Sequence, residues 1–99
     1  MVITSLDAQV APDRWQILEQ AYRDAIRELE PGIVETFLLH NSREANAWKI
    51  LTVWESRAVL DAMRASKQTP RGVLIFRAAG AEPALTVSEV VSYTRAPGG

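Results

Sequence analysis

Trp48 and Trp54 stand close together in the segment AWKILTVWES, and the single histidine, His40, precedes them. An indole N–H can donate a hydrogen bond to an oxygen that gains negative charge, and an imidazole can take up or release a proton near neutral pH. Alternation in the segment predicts a β-strand with both tryptophans on one face. His40 is therefore a candidate general base, although a lone histidine at a strand end is more often merely half exposed. Trp54 is a candidate wall of a ligand pocket, and packing in the core is the alternative role for both tryptophans.

Four further side chains are candidates for the wall of a substrate pocket around Trp54. One of them, Ile50, shares its strand face, and two aromatic residues recur at helical spacing after Pro12. An apolar pocket with few polar groups suits a flat small molecule. The predicted pocket residues are Trp15, Tyr22, Ile50 and Phe76.

Charged residues give further candidates for chemistry. Glu35 and Glu89 fall on predicted strands among apolar neighbours, where a carboxylate could deprotonate a phenol or an enol. Either can equally point to the edge of an interface or pair with an arginine. Arg71 and Arg77 could hold the carboxylate of a substrate, although solvated helix charges are the commoner explanation.

The composition excludes several classes of site and partner. There is no cysteine, and no cluster of acidic residues at ligand spacing accompanies the one histidine, so we expect no metal site and no cofactor. A net charge of −1 argues against nucleic acid and against a polybasic membrane surface. With 47% hydrophobic residues and no signal peptide, residues 1–94 are expected to form a single cytoplasmic domain, and 95–99 a flexible C-terminal tail.

Hydrophobic periodicity predicts the elements that must position these residues. Period-2 alternation or apolar runs mark four strands, and helical spacing with end signals marks three helices. The order βαββααβ predicts an α+β fold, a ferredoxin-like split βαβ with a four-stranded antiparallel sheet. The predicted strands are 2–10, 33–40, 48–55 and 85–94; the helices run from Pro12 to Leu29 before Pro31-Gly32, after the N-cap Ser56, and from Thr69-Pro70 to Gly80.

The second and third strands are apolar on both faces, which a sheet with helices on one side leaves unexplained. Ile33, Phe37 and Leu39 are predicted to oppose Val34 and Leu38. A second apolar face requires a second cover. We therefore expect a homodimer formed by sheet-to-sheet packing.

The segments EPGIVETFLL, ILTVWES and SRAVLDAMRAS together resemble the antibiotic biosynthesis monooxygenase (ABM)-like family of dimeric α+β barrel proteins. The resemblance runs from about residue 2 to residue 93 and implies a dimeric α/β barrel. Members include cofactor-independent oxygenases of aromatic polyketides, haem-degrading oxygenases and isomerases of small signalling molecules.

The functional residues of two of these branches can be compared with this chain position by position. At the positions of the haem-degrading branch's Asn, Trp and His, this chain has Leu6 or Asp7, Ala62 and Val73, so haem degradation is not expected. The polyketide-oxygenase branch is similar at Trp54, and this resemblance makes Trp54 a candidate catalytic residue whose N–H would bind a substrate or a peroxy intermediate. The Asn of that branch is replaced by Ile50.

The resemblance implies a cofactor-independent monooxygenase acting on a small aromatic, phenolic or enolisable molecule. The alternatives are a non-catalytic ligand-binding or dimerisation module of the same fold, and an isomerase of a small metabolite.

Overall fold

The computed structural model describes residues 1–98, and within them it contains four strands, three α-helices and a short 3-10 turn. The order of the elements is the predicted βαββααβ, which confirms the α+β fold class. The elements are β1 Val2–Gln9, the 3-10 turn Pro12–Arg14, α1 Trp15–Ala25, β2 Ile33–His40, β3 Ala47–Trp54, α2 Arg57–Ala65, α3 Arg71–Ala78 and β4 Ala84–Glu89.

The four strands form one antiparallel sheet in the order β2-β3-β1-β4. The two central strands, β1 and β3, are the first and third in the chain, as the ferredoxin-like split βαβ connection requires. Even-numbered residues of β1 face the helices and include the buried Val2, Thr4 and Leu6. The helices therefore cover one face of the sheet and leave the other open in the single chain.

Local signals set most helix ends, with corrections in α1 and α3. The helix α1 begins at Trp15 and not at Pro12, because residues 12–14 form the 3-10 turn, and α3 ends at Ala78 and not at Gly80. Ser56 caps α2 as predicted, because its Oγ accepts the Val59 N–H at 3.2 Å. The helix α1 ends at Ala25 and not at Leu29, since the chain tightens there into i→i−3 bonds. The helix α3 begins at Arg71 and not at Pro70.

Pro70 itself holds the cap position of α3, and its carbonyl accepts the N–H groups of Val73 and Leu74. Thr69, which was predicted to be the N-cap, therefore lies one residue before the cap. Proline suits this place because it needs no donor of its own there.

On the helix-facing side of the sheet, the paired residues form successive rows across β1, β3 and β2. A row of three threonines, Thr4, Thr52 and Thr36, lies between an apolar row on each side and is called the threonine row below. The apolar neighbours are Val2, Trp54 and Ile33 on one side and Leu6, Ile50 and Leu38 on the other.

The threonine row divides the core into two parts. One buried cluster contains Trp54 and Leu60, and the other contains Ile50 and Phe76. The two clusters share no residue, so apolar packing is interrupted between them. A cavity occupies this interval.

The outer face of the sheet is uncovered in the single chain, and it carries apolar residues of β2 and β3 beside Glu35 and the Asp7–Lys49 ion pair. Phe37 and Leu39 are exposed there, beside Leu51 and Val53 of β3. A bulge between Ile33 and Glu35 shifts the register of β2. It turns Ile33 to the helix side, so the prediction that Ile33 shares a face with Phe37 and Leu39 was wrong.

The last strand is shorter than predicted and ends at Glu89 instead of residue 94. Glu89 pairs with Val2, the first residue of β1, so the chain beyond it has no strand to pair with. Val91 is 98% exposed and Tyr93 is exposed as well. The tail predicted for 95–99 ends with Gly99, which lies outside the described residues.

Candidate functional site

A cavity of about 120 Å³ lies between the sheet and the helices, at the level of the threonine row. All three threonines of that row line it. Most of the remaining wall is apolar, as expected for a site that takes a small flat molecule. The sheet contributes Leu6, Ile50 and Trp54, and the helices contribute Tyr22, Leu60 and Ile75.

Trp54 and Thr4 form a buried hydrogen-bonded pair on the cavity floor. The Trp54 indole Nε1–H donates to Thr4 Oγ1 at 3.0 Å, and the two side chains come from neighbouring strands. A hydroxyl that accepts a bond keeps its own proton to donate. The tryptophan therefore orients Thr4, and the Thr4 O–H is the donor left for a ligand.

The other two threonines of the row contact each other. Thr36 Oγ1 and Thr52 Oγ1 lie 3.3 Å apart, and either can be the donor. Together with Thr4 they form the polar part of a floor that is otherwise apolar. A ligand oxygen placed above this row would meet hydroxyl groups and no charge.

Charged side chains line the helix side of the cavity. They are Glu30, just after α1, Arg64 of α2, and Arg71 of α3. Arg71 Nε lies 3.9 Å from Glu30 Oε1, longer than a hydrogen bond. Within residues 1–98 no acidic side chain pairs with Arg64. The charged group has two cations and one anion, so its local charge is positive.

The structure brings only some of the predicted residues together. Trp54, Tyr22 and Ile50 line the cavity. Phe76 is fully buried in the second core cluster, and Trp15 packs against the same cluster. Neither Phe76 nor Trp15 lies on the cavity wall.

His40 lies at the other end of the sheet, outside the cavity lining. Its ring stacks on Trp48 with 3.9 Å between centroids and meets Trp15 edge-on at 4.7 Å. His40 Nε2 lies 2.6 Å from the Ala45 carbonyl, and because a carbonyl only accepts, Nε2 carries the proton. His40 thus holds the β2–β3 loop, and the two tryptophans of β3 belong to separate ends of the core.

The other predicted charged candidates also lie outside the cavity. Glu35 is exposed in a row with Val53 on the outer face, and Glu89 is exposed with Arg57 nearby. Arg77 donates two hydrogen bonds to Glu82, at 2.8 and 3.0 Å. These hydrogen bonds are the main reason that the pKa of Glu82 lies below its ordinary value, and the positive charge of Arg77 lowers it further.

The residues missed at the sequence level are Thr4, Thr36, Glu30 and Arg64. Thr4 and Thr36 stand at alternating strand positions that point to the helices, but only the strand register shows that they join Thr52 in one row. Glu30 and Arg64 carry no local signal that separates them from solvated charges.

Two other kinds of site are absent from the described part of the chain. Residues 1–98 contain no group of three or more His, Cys, Asp or Glu that could hold a metal ion. No helix among them is long and apolar enough to span a bilayer.

Solved structures with the same fold include oxygenases and a porphyrin-binding protein. A candidate antibiotic biosynthesis monooxygenase from Deinococcus radiodurans has a TM-score of 0.72 at 14% identity, over 99% of this chain and 100% of that one. SnoaB, a cofactor-independent oxygenase from Streptomyces nogalater, has a TM-score of 0.60 at 19% identity, over 97% and 96%. A MhuD variant with two manganese protoporphyrin IX molecules per active site has a TM-score of 0.70 at 19% identity, over 97% and 100%.

At these identities the structural matches establish a shared fold alone. No curated protein sequence matches the chain. The sequence model of one family, antibiotic biosynthesis monooxygenase, matches residues 1–72, which is 72 of the 99 residues. With the fold and this match in agreement, the chain belongs to the antibiotic biosynthesis monooxygenase family.

Proposed function

We propose that the protein is a cofactor-independent monooxygenase acting on a small aromatic, phenolic or enolisable molecule. The observation that carries the proposal is the cavity beside Trp54, which joins an apolar wall to a row of hydroxyl donors. Membership of the family and the description of SnoaB as a cofactor-independent oxygenase support the same reaction class.

In the proposed reaction the substrate is its own reductant. An activated CH₂ group loses one proton, and the resulting carbanion gives electrons to O₂ and forms a C–O bond, which after protonation is a hydroperoxide. Loss of the second C–H proton with cleavage of the O–O bond leaves a ketone and releases water. One oxygen atom enters the product, the other enters water, and CH₂ + O₂ gives C=O + H₂O.

The Trp54–Thr4 pair is assigned to the charge that develops on oxygen. Hydroxyl donors fixed before the reaction stabilise an enolate or peroxide oxygen without reorganisation, and their effect is larger where water is excluded. Trp54 fixes Thr4, and Thr4 donates to the substrate. His40 has no part in this assignment because it lies outside the cavity lining.

We propose further that the active form is a homodimer packed through the outer faces of the two sheets. The exposed Phe37 and Leu39 support this arrangement, together with Val34 on the same edge strand. Several large apolar side chains exposed on one strand are typical of an interaction surface. A twofold partner with the same face would cover it.

The test uses anthrone, whose enol form is a phenol and whose CH₂ group can be oxidised to a ketone. Oxygen uptake is measured with an electrode on protein treated with a chelator, beside a protein-free control for spontaneous oxidation. We expect one O₂ consumed per anthraquinone formed, at a rate at least a hundredfold above the control, or about 2.7 kcal/mol of transition-state stabilisation. Binding of anthrone without faster uptake would favour the non-catalytic module.

A further inference from the structure

The charged group on the helix side of the cavity suggests which small molecules the site selects. Arg71 and Arg64 contribute two positive charges to the wall, and Glu30 contributes one negative charge. An apolar cavity with a cationic rim favours a ligand that pairs a flat apolar body with an anionic group.

The bonding of Arg71 differs from that of Arg77 on the same helix. Arg77 is committed to Glu82 by two hydrogen bonds of 2.8 and 3.0 Å. Arg71 Nε lies 3.9 Å from Glu30 Oε1, beyond hydrogen-bond distance. Its guanidinium therefore keeps its donors for a planar anion, which an arginine can bind through two parallel bonds.

We propose that the cavity selects molecules that carry a carboxylate in addition to the oxidisable ring, and that Arg71, assisted by Arg64, binds this carboxylate. The selection rests on the function proposed above, since it names the substrate class of the same cavity. Glu30 competes with the ligand for Arg71, so it limits the affinity for an acid. The carboxylate meets the helix side while the ring lies over the threonine row.

The test compares two ligands that differ in charge and hardly in shape, 2-naphthoate and its neutral amide, 2-naphthamide. Isothermal titration calorimetry at low salt gives both dissociation constants without any turnover. We expect the wild type to bind 2-naphthoate at least about tenfold more tightly. We expect 0.5 M salt to reduce the preference because Arg71 is partly exposed and Arg64 is exposed.

Variants assign the preference to particular residues. Arg71→Gln should reduce it to less than about threefold and leave 2-naphthamide affinity unchanged, which also shows that the variant is folded. Arg64→Gln should reduce it in part, and Glu30→Gln should increase it because the competing carboxylate is gone. Arg77→Gln is the matched control and should leave both affinities unchanged.

Equal affinities for the two naphthalenes, no binding of either, or a preference that survives Arg71→Gln would overturn the proposal. The oxygenase activity is judged separately, by oxygen uptake with anthrone, which has no carboxylate. Uptake without acid preference would refute the selection and keep the activity. Acid preference without uptake would keep the selection and refute the oxidation of neutral anthrone.

Discussion

At the scale of single residues, the site depends on a tryptophan whose N–H is used inside the protein. Trp54 is 4% exposed and donates to Thr4, so in the proposed reaction it acts on a ligand only through the threonine hydroxyl. Strand alternation was enough to predict Trp54 and Ile50 on the cavity side. It could not show Thr4, whose place beside Trp54 depends on pairing between strands distant in sequence.

The N–H of Trp54 can be tested against a matched control on the same strand. Trp54→Phe removes the donor to Thr4 and should lower the free energy of unfolding by about 1–2 kcal/mol and anthrone turnover by at least about tenfold. Trp48→Phe removes an N–H that is buried without a partner among residues 1–98, so turnover should remain unchanged. Chemical denaturation and oxygen uptake measure the two effects; equal turnover in both variants would remove Trp54 from the reaction.

His40 gives a second prediction at this scale, because its position separates a structural role from a catalytic one. His40→Phe keeps the stacking on Trp48 and loses the bond to Ala45. We expect the unfolding free energy to fall by about 0.5–1.5 kcal/mol and anthrone turnover to stay within twofold of the wild type. A tenfold loss of turnover in the folded variant would return His40 to the list of catalytic residues.

At the scale of elements, the sequence was most informative where a local signal acts alone. Ser56 begins α2 because its side chain caps the first turn, and this was predicted. The end of β4 was not predicted correctly. Residues 90–94 alternate like a strand, but β1 begins at Val2 and offers them no strand partner. The bulge in β2 likewise follows from pairing with β3, which single-strand alternation does not contain.

Gly72 links an element to the site. It lowers the helix propensity of α3, but a Cβ at this position would come within 2.5 Å of Leu6 Cδ1. The glycine thus lets α3 approach β1 beside the cavity, which both residues line.

Gly72→Ala should therefore push the Leu6 side chain into the cavity. We expect 2-naphthamide affinity to fall by about tenfold and stability to change by less than about 1 kcal/mol, since the better helix propensity of alanine offsets the repacking. Calorimetry and denaturation measure the two quantities. Adding Leu6→Val should restore affinity; a double variant that still binds weakly would contradict the steric explanation.

At the scale of the whole molecule, the outer face of the sheet is the feature that one chain does not explain. The sequence predicted this feature, because β2 and β3 carry apolar residues at positions that alternate to both faces of the sheet. Alternation correctly predicted that Phe37 and Leu39 share a face, but it could not predict that the bulge puts Ile33 on the opposite face.

The proposed dimer can be tested with two charge insertions at equally exposed positions. Leu39 on the outer face and Ile17 on α1 are both 41% exposed. Light scattering of the wild type should give twice the chain mass of 11.0 kDa, and Leu39→Glu should shift it to the monomer. Ile17→Glu should leave the dimer intact; dissociation by both variants, or a monomeric wild type, would contradict sheet-to-sheet packing.

The central claim is that the cavity beside Trp54 catalyses the reaction of an organic substrate with O₂. The most direct measurement is the rate of ¹⁸O incorporation into anthraquinone from ¹⁸O₂, with chelator-treated protein and a protein-free control. We predict one ¹⁸O atom per product, formed at least a hundredfold faster than without protein, with the excess reduced at least about tenfold by Thr4→Val. A labelling rate equal to the protein-free rate, or one that Thr4→Val leaves unchanged, would contradict it.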